Sequence, residues 1–188
     1  ITCRDWSSDV CSSDLVAIDK KALYALSYGL YVVSSRKGNK LNGQVANAVM
    51  QVTADPVSVV ACLHRDNMTT ECISDSGIFS VSILEEDTPM TFIGNFGFKC
   101  GRDYDKFGKC SYELGETGAP LVIDHSIAVI EARVVKNVDI FTHVMFFGEV
   151  VASRHIREGR PLTYAHYHEV KKGKSPKNAP TFTLNEVR

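Results

Sequence analysis

Strand-length apolar segments follow one another along this chain with no long helix between them, and that succession constrains its fold most. YVVSSR, LNGQVANAVMQV, VSVVACLH, IFSVSIL, APLVID, SIAVIEARVVKNVD and HVMFFGEVVASRHI all read as strands. VSVVACLH is a continuous apolar run, the mark of a buried strand, whereas IFSVSIL alternates. KGNK reads as the hairpin turn joining the first two, and Asp55-Pro56 ends the second. The helical stretches are short. KKALYALS is capped by Asp19 and ended by Gly29; NMTTECISDSG has Asn67 or Thr69 near its N-cap and Gly77 past its end. DTPMTFIGNF has Thr88 as cap and Pro89 in its first turn, and PLTYAHYHEVKKG starts at Pro161. Six or seven strands without regularly interspersed helices argue against a doubly wound parallel sheet. They favour a mainly β antiparallel barrel or sandwich with a few peripheral α-helices.

The first fifteen residues stand apart. RDWSSDVCSSDL has no hydrophobic period, no apolar core and no basic leader, so it is not a signal peptide. Its back-translation resembles a short-read sequencing adapter, and residues 1–15 are read as a cloning or assembly scar. The domain then spans 16–175, with an extended Pro- and Lys-rich tail over 176–188. Excluding the scar removes Cys3 and Cys11 and leaves Cys62, Cys72, Cys100 and Cys110, without a CxxC pair. These read as reduced thiols in a cytoplasmic protein, not as a disulfide framework or metal site. The formal net charge of -1 gives no sign of nucleic-acid binding, and no apolar run approaches bilayer length.

LNGQVANAVMQVTADP spends several strand positions on neutral hydrogen-bonding groups: Asn42, Gln44, Asn47, Gln51 and Thr53. Such groups, with small residues at Ala46 and Ala48, suit a flat heterocycle bearing donors and acceptors on its edge. A solvent-facing strand is the plainer reading. CLHRDNMTT places a helix start beside Arg65, Asn67, Thr69 and Thr70, a ready phosphate site, though simple capping explains the same residues. FGFKCGRDYDKF is a basic, glycine-punctuated loop in which Lys99, Arg102 and Lys106 suit an anion or a solvated surface equally. His143 opens an otherwise apolar strand, and Tyr164, Tyr167 and His168 share a helical face.

Taken in order, ALYALSYGLYVVSS, LNGQVANAVMQVTADP, FIGNFGFKCGRDYDKF, TGAPLV, HVMFFGEV and YAHYHEVKKGKSPKNAP resemble the flavin reductase-like family, in its flavoredoxin and high-molecular-weight-rubredoxin branch. The resemblance implies an antiparallel Greek-key split β-barrel that binds FMN. Gln44, Val45, Ala46, Asn47, Gln51, Val52 and Thr53 would line the isoalloxazine. Cys62, Leu63, His64, Asn67 and Thr69 would surround the phosphate and ribityl chain. Lys99 and Arg102 match the basic loop near the phosphate or pyridine nucleotide, and His143 the histidine near the reacting face. Two departures stand out: HRDNMT replaces the commoner NKxNxT turn, and no CxxCG motif follows KNAPTF.

The implied activity is an FMN-dependent NAD(P)H oxidoreductase, taking electrons from NADH or NADPH and passing them to rubredoxin, a diiron flavoprotein or free flavin. The implied assembly is a homodimer. The alternative is a non-enzymatic electron-transfer flavoprotein reduced by protein partners. Because hydride chemistry belongs to the cofactor, neither reading requires a catalytic triad or carboxylate pair.

Overall fold

The computed structural model describes residues 20–23 and 25–181, so the presumed scar lies outside the described residues. The elements are α1 (Lys20–Leu23), β1 (Tyr31–Lys37), β2 (Lys40–Ala46), β3 (Val49–Ala54), β4 (Val57–His64), α2 (Met68–Ser76) and β5 (Ile78–Leu84). They continue with α3 (Met90–Gly97), β6 (Tyr112–Leu114), β7 (Pro120–Val122), β8 (Ser126–Ile140), β9 (His143–His155) and α4 (Tyr164–Glu169). Seven strands form one antiparallel sheet in the order β2-β1-β5-β8-β9-β4-β3, and β6 pairs with β7 separately. The two edge strands, β2 and β3, are neighbours in sequence, joined through Asn47 and Ala48. The sheet therefore curls until its edges nearly meet, but it does not close. Among the described residues no helix is long and apolar enough to cross a membrane.

Local chemistry explains the elements. Gly38 takes a positive φ of 57° in the two-residue β1–β2 turn, a conformation that costs glycine nothing. Along β1, Val33 and Val32 point to opposite faces, as strand period demands. Val33 joins a core with Leu63, Ile73, Phe79 and Phe146 inside the curl. Val32 joins a second core with Leu30, Ile93, Phe96 and Leu162, beneath α3 and α4.

The structure corrects the sequence reading at several points. LNGQVANAVMQV is two strands, because the chain breaks at Asn47–Ala48 and moves to the opposite sheet edge. The first helix is only Lys20–Leu23; residues further on are drawn into backbone pairing, with Leu30 N–H on Leu162 O at 2.8 Å and Gly29 bridged to Thr163. Its expected cap, Asp19, lies outside the described residues. Thr88 does not cap α3: its hydroxyl donates back to Glu85 O at 2.5 Å, and Pro89 holds the cap position. Residues 161–163 precede α4, whose cap is Thr163, accepting from His166 N–H at 3.1 Å. A short strand, β6, went unread. IFSVSIL alternates in sequence yet is buried on both faces, since Ser80 donates to Pro120 O at 2.5 Å and Ser82 accepts from Val122 N–H at 3.1 Å. Its hydroxyls thus satisfy backbone groups of β7 in place of water.

Candidate functional site

The β2 edge, the start of α2 and the end of α3 enclose a cleft of about 840 Å³. β2 contributes Asn42, Gln44 and Val45; α2 contributes Asn67, Met68 and Thr69 from its first turn and cap. Phe96, Gly97 and Phe98 form another wall, with Lys99, Cys100, Gly101 and Lys106 beyond them. The last wall is the irregular segment from Lys174 to Ala179. A narrow slot of about 40 Å³ opens beside the cleft and shares Gln44, Val45, Gly97, Phe98, Ser175 and Asn178 with it. Ala46, Asn47, Cys62, Leu63 and His64 line the slot, where β2 and β4 face each other across the gap between the sheet edges.

Polar groups in this site are poised for a ligand. Asn42 is buried and donates through Nδ2 to Thr69 Oγ1 at 2.8 Å, while its Oδ1 has no hydrogen-bond donor. Gln44 Oε1 is likewise buried without a donor. Two unmatched buried acceptors on one cleft wall are costly unless a ligand brings N–H or O–H groups to them. Gly101 completes that wall: a Cβ there would stand 1.8 Å from Asn42 Oδ1. Beside it, the first turn of α2 lines the cleft together with four lysines, Lys99, Lys106, Lys174 and Lys177, against a single carboxylate, Asp66. That combination favours an anion such as a phosphate monoester.

Lys106 is the unusual member. It is only 5% exposed, and its Nζ donates to Gly43 O at 2.8 Å and Phe96 O at 3.2 Å. Burial lowers its pKa to about 8, with Cys100 opposing the shift. Burial also raises the pKa of Cys62 in the slot, keeping it a neutral thiol. His143 lies beside His64, edge to face with ring centroids 5.2 Å apart, and its Nδ1 contacts Thr142 Oγ1 at 2.9 Å. Desolvation and then the His64 charge lower the His143 pKa, partly offset by the Asn178 backbone.

The predicted residues therefore separate into two groups. Gln44, Val45, Asn67, Thr69 and Lys99 line the cleft, and Ala46, Asn47, Cys62, Leu63 and His64 line the slot. Gln51, Val52 and Thr53 do not: they are exposed on β3, at the far edge of the sheet, and Gln51 Nε2 donates to Thr53 O at 3.2 Å. Arg102 turns away to Glu71, 2.9 Å distant, where Lys37 also binds at 2.6 Å; these two cations lower the Glu71 pKa. His143 lines neither cavity and stands behind His64. Sequence reasoning missed Phe96 and Phe98 as lining residues, singled out Asn42 and Lys106 by their chemistry without placing them in the family site, and read KSPKNAP as a tail when that segment is a wall. The Asn and Pro content of KSPKNAP was the signal available for the last.

The donor and acceptor set fits a flavin: unmatched acceptors for ring or ribityl donors, aromatic walls, and a helix start in a lysine-lined cleft for a phosphate. The slot alone is smaller than a three-ring system, so the rings fit only across the junction of slot and cleft.

A family model described as "Flavin reductase like domain" matches residues 23–172. The chain is 46% identical over 165 residues to a ferric-chelate reductase (NAD(P)H) of Archaeoglobus fulgidus, covering 88% of this chain and 98% of that one. It is 45% identical over 171 residues to a high molecular weight rubredoxin of Moorella thermoacetica, covering 91% and 75%. Among solved structures, the Streptomyces globisporus NADH:FAD oxidoreductase superposes with a TM-score of 0.71 at 23% identity, covering 78% of this chain and 86% of that one, which speaks for the fold alone.

Proposed function

The chain belongs to the flavin reductase-like family of oxidoreductases, and on that premise we propose that it binds FMN in the cleft, oxidises NADH or NADPH and hands the electrons to a separate acceptor. The observation that carries this is the pair of unmatched buried acceptors, Asn42 Oδ1 and Gln44 Oε1, on the β2 wall of a cleft that the start of α2 and four lysines also line. Bound flavin supplies the hydride acceptance and the onward release of electrons. The protein's own work is positioning. Asn42, Gln44 and Asn47 meet polar edges of the ligand, while Phe96 and Phe98 shield it from water. Lys99 and Lys106 neutralise a phosphate, and the neutral Cys62 thiol adds no charge beside the rings.

Three finer assignments belong to the same reading. The acceptor is a rubredoxin-like redox protein or a chelated metal, since the relatives named above are a high molecular weight rubredoxin and a ferric-chelate reductase. The unpaired thiols Cys62, Cys72, Cys100 and Cys110 suit a reducing cytoplasm. Two copies associate through the β3 side: exposed Met50, Val52, Val57, Val135 and Val151 lie on β3, β4, β8 and β9, four strands adjacent in the sheet.

The test is direct. Purified protein incubated with FMN and desalted should be yellow, and its flavin absorbance should bleach anaerobically on adding NADH or NADPH in a stopped-flow cell. Retained colour without bleaching by either nucleotide would leave only an electron-transfer flavoprotein. No retained colour would remove the cofactor assignment altogether.

A further inference from the structure

The segment after α4 is the part of the cleft that the family match does not reach. From Lys174 to Thr181 it has no regular secondary structure, yet it lies across both cavities and is fastened along its length. Tyr167 OH donates to Lys174 O at 3.0 Å. Tyr164 OH sits 2.5 Å from both Ser175 Oγ and Thr181 Oγ1, joining the two ends of the segment to one phenol. Asn178 Nδ2 donates to Asn67 Oδ1 at 2.9 Å, reaching the cap of α2. Asn47 Nδ2 donates to Thr181 Oγ1 at 3.3 Å, reaching the end of β2. The strap therefore spans from α4 to both edges of the gap that would admit a flavin.

Its chemistry matches what lies beneath it. Pro176 and Ala179 present apolar surface to both cavities, and Pro180 to the slot, while Lys174 and Lys177 add positive charge at the cleft. The two latches to the site, Asn178–Asn67 and Thr181–Asn47, join side chains that stand at opposite ends of the implied ligand, the α2 start and the β2 end. A ligand seated across the junction of slot and cleft must therefore enter or leave past residues 175–180.

We propose that residues 174–181 are a strap that closes over bound FMN and holds it as a resident group, so that the flavin is not a substrate exchanged at each turnover. This rests on the flavin reading and goes beyond it, because the family activity is compatible with either behaviour. The strap acts on retention: it slows departure of the flavin, while recognition of its edge stays with β2 and α2. Breaking a latch should therefore raise the release rate more than it lowers the association rate.

Release is measured on protein reconstituted with FMN, diluted into excess apoflavodoxin as a flavin trap. The full-length Asn178→Ala and Thr181→Val variants should each lose FMN about tenfold faster than the parent, with the bound-flavin absorption spectrum unchanged; release within twofold of the parent in both would overturn the strap. Should either variant fail to fold by circular dichroism, trypsin sensitivity of the unaltered chain decides. Cleavage after Lys174 and Lys177 should slow at least tenfold when FMN is bound, and equal cleavage with and without FMN overturns the proposal. A parent protein that takes up no FMN at all would instead remove the flavin reading on which the strap depends.

Discussion

β2 and β3 are consecutive in sequence, similar in composition and both sheet edges, yet they meet opposite surroundings. β2 is largely covered, and its amides face a cleft; β3 is exposed along nearly its whole length, and its amide and hydroxyl bond only to near neighbours such as Thr53 O and Pro56 O. The cause is the two-residue break at Asn47–Ala48, which carries the chain from one end of the curled sheet to the other. A polar side chain on an edge strand thus acquires a role only from what packs over it. Here that is α2, α3 and the strap for β2, and nothing within the described chain for most of β3.

The contrast is sharpest in its dependence on pH. Lys106 sits against the β2 edge with a pKa of about 8 in the folded chain, against the ordinary 10.5. Below pH 8 it is protonated in both states; between pH 8 and 10.5 the unfolded chain holds the extra proton, so this residue makes stability rise with pH. Cys110, raised to about 11 by burial, works in the opposite direction above its ordinary pKa of 9.0. Comparing the parent with Lys106→Met cancels that term. The stability difference, from urea unfolding at pH 7.5 and 10.5, should change by on the order of 3 kcal/mol in the parent's favour as pH rises. No change would mean that Lys106 is not desolvated at the β2 edge.

Substituting one amide on each edge is the next test. Asn42→Leu leaves Thr69 Oγ1 without its donor in a buried site and should cost about 1–3 kcal/mol of unfolding free energy. Gln51→Leu, on the exposed β3, should stay within about 0.5 kcal/mol. Equal costs would erase the distinction between the edges.

Ligand binding at the β2 edge should titrate as well. A bound phosphate beside Lys106 favours its protonated form and raises its pKa, so binding takes up a proton above pH 8. FMN affinity, followed by fluorescence quenching, should weaken with pH above 8, with a limiting slope of about tenfold per unit, roughly 1.4 kcal/mol. A flat profile from pH 7 to 10 would detach Lys106 from the ligand.

The smallest effect on the fold is expected at β3. Replacing Met50 and Val52 together with Asp should convert a dimer to a monomer by light scattering, while the far-ultraviolet spectrum stays the same. A parent that already runs as a monomer would leave the apolar β3 side without its proposed partner.

Much of this was legible beforehand. The strands announced themselves through apolar runs and turn residues, and α2 through Asn67 and Gly77, because these signals are local and act over a few residues. The site was half legible. Gln44, Val45, Asn67 and Thr69 line the cleft and Ala46, Asn47, Cys62, Leu63 and His64 the slot, whereas Gln51 to Thr53 and Arg102 line neither. Nothing local distinguishes Gln44 from Gln51, and nothing in FGFKCGRDYDKF says that Lys106 is buried while Arg102 is spent on Glu71.

The amino-acid order alone marked most of the strands, the antiparallel class and the family, since periodicity, turn chemistry and ordered motifs are written along the chain. Tertiary structure alone decided which sheet edge is covered, which lysine loses its water and where the segment after α4 comes to rest. Those outcomes depend on contacts between residues far apart in sequence, such as Asn47 with Thr181 and Asn67 with Asn178, and burial of that kind has no local signature.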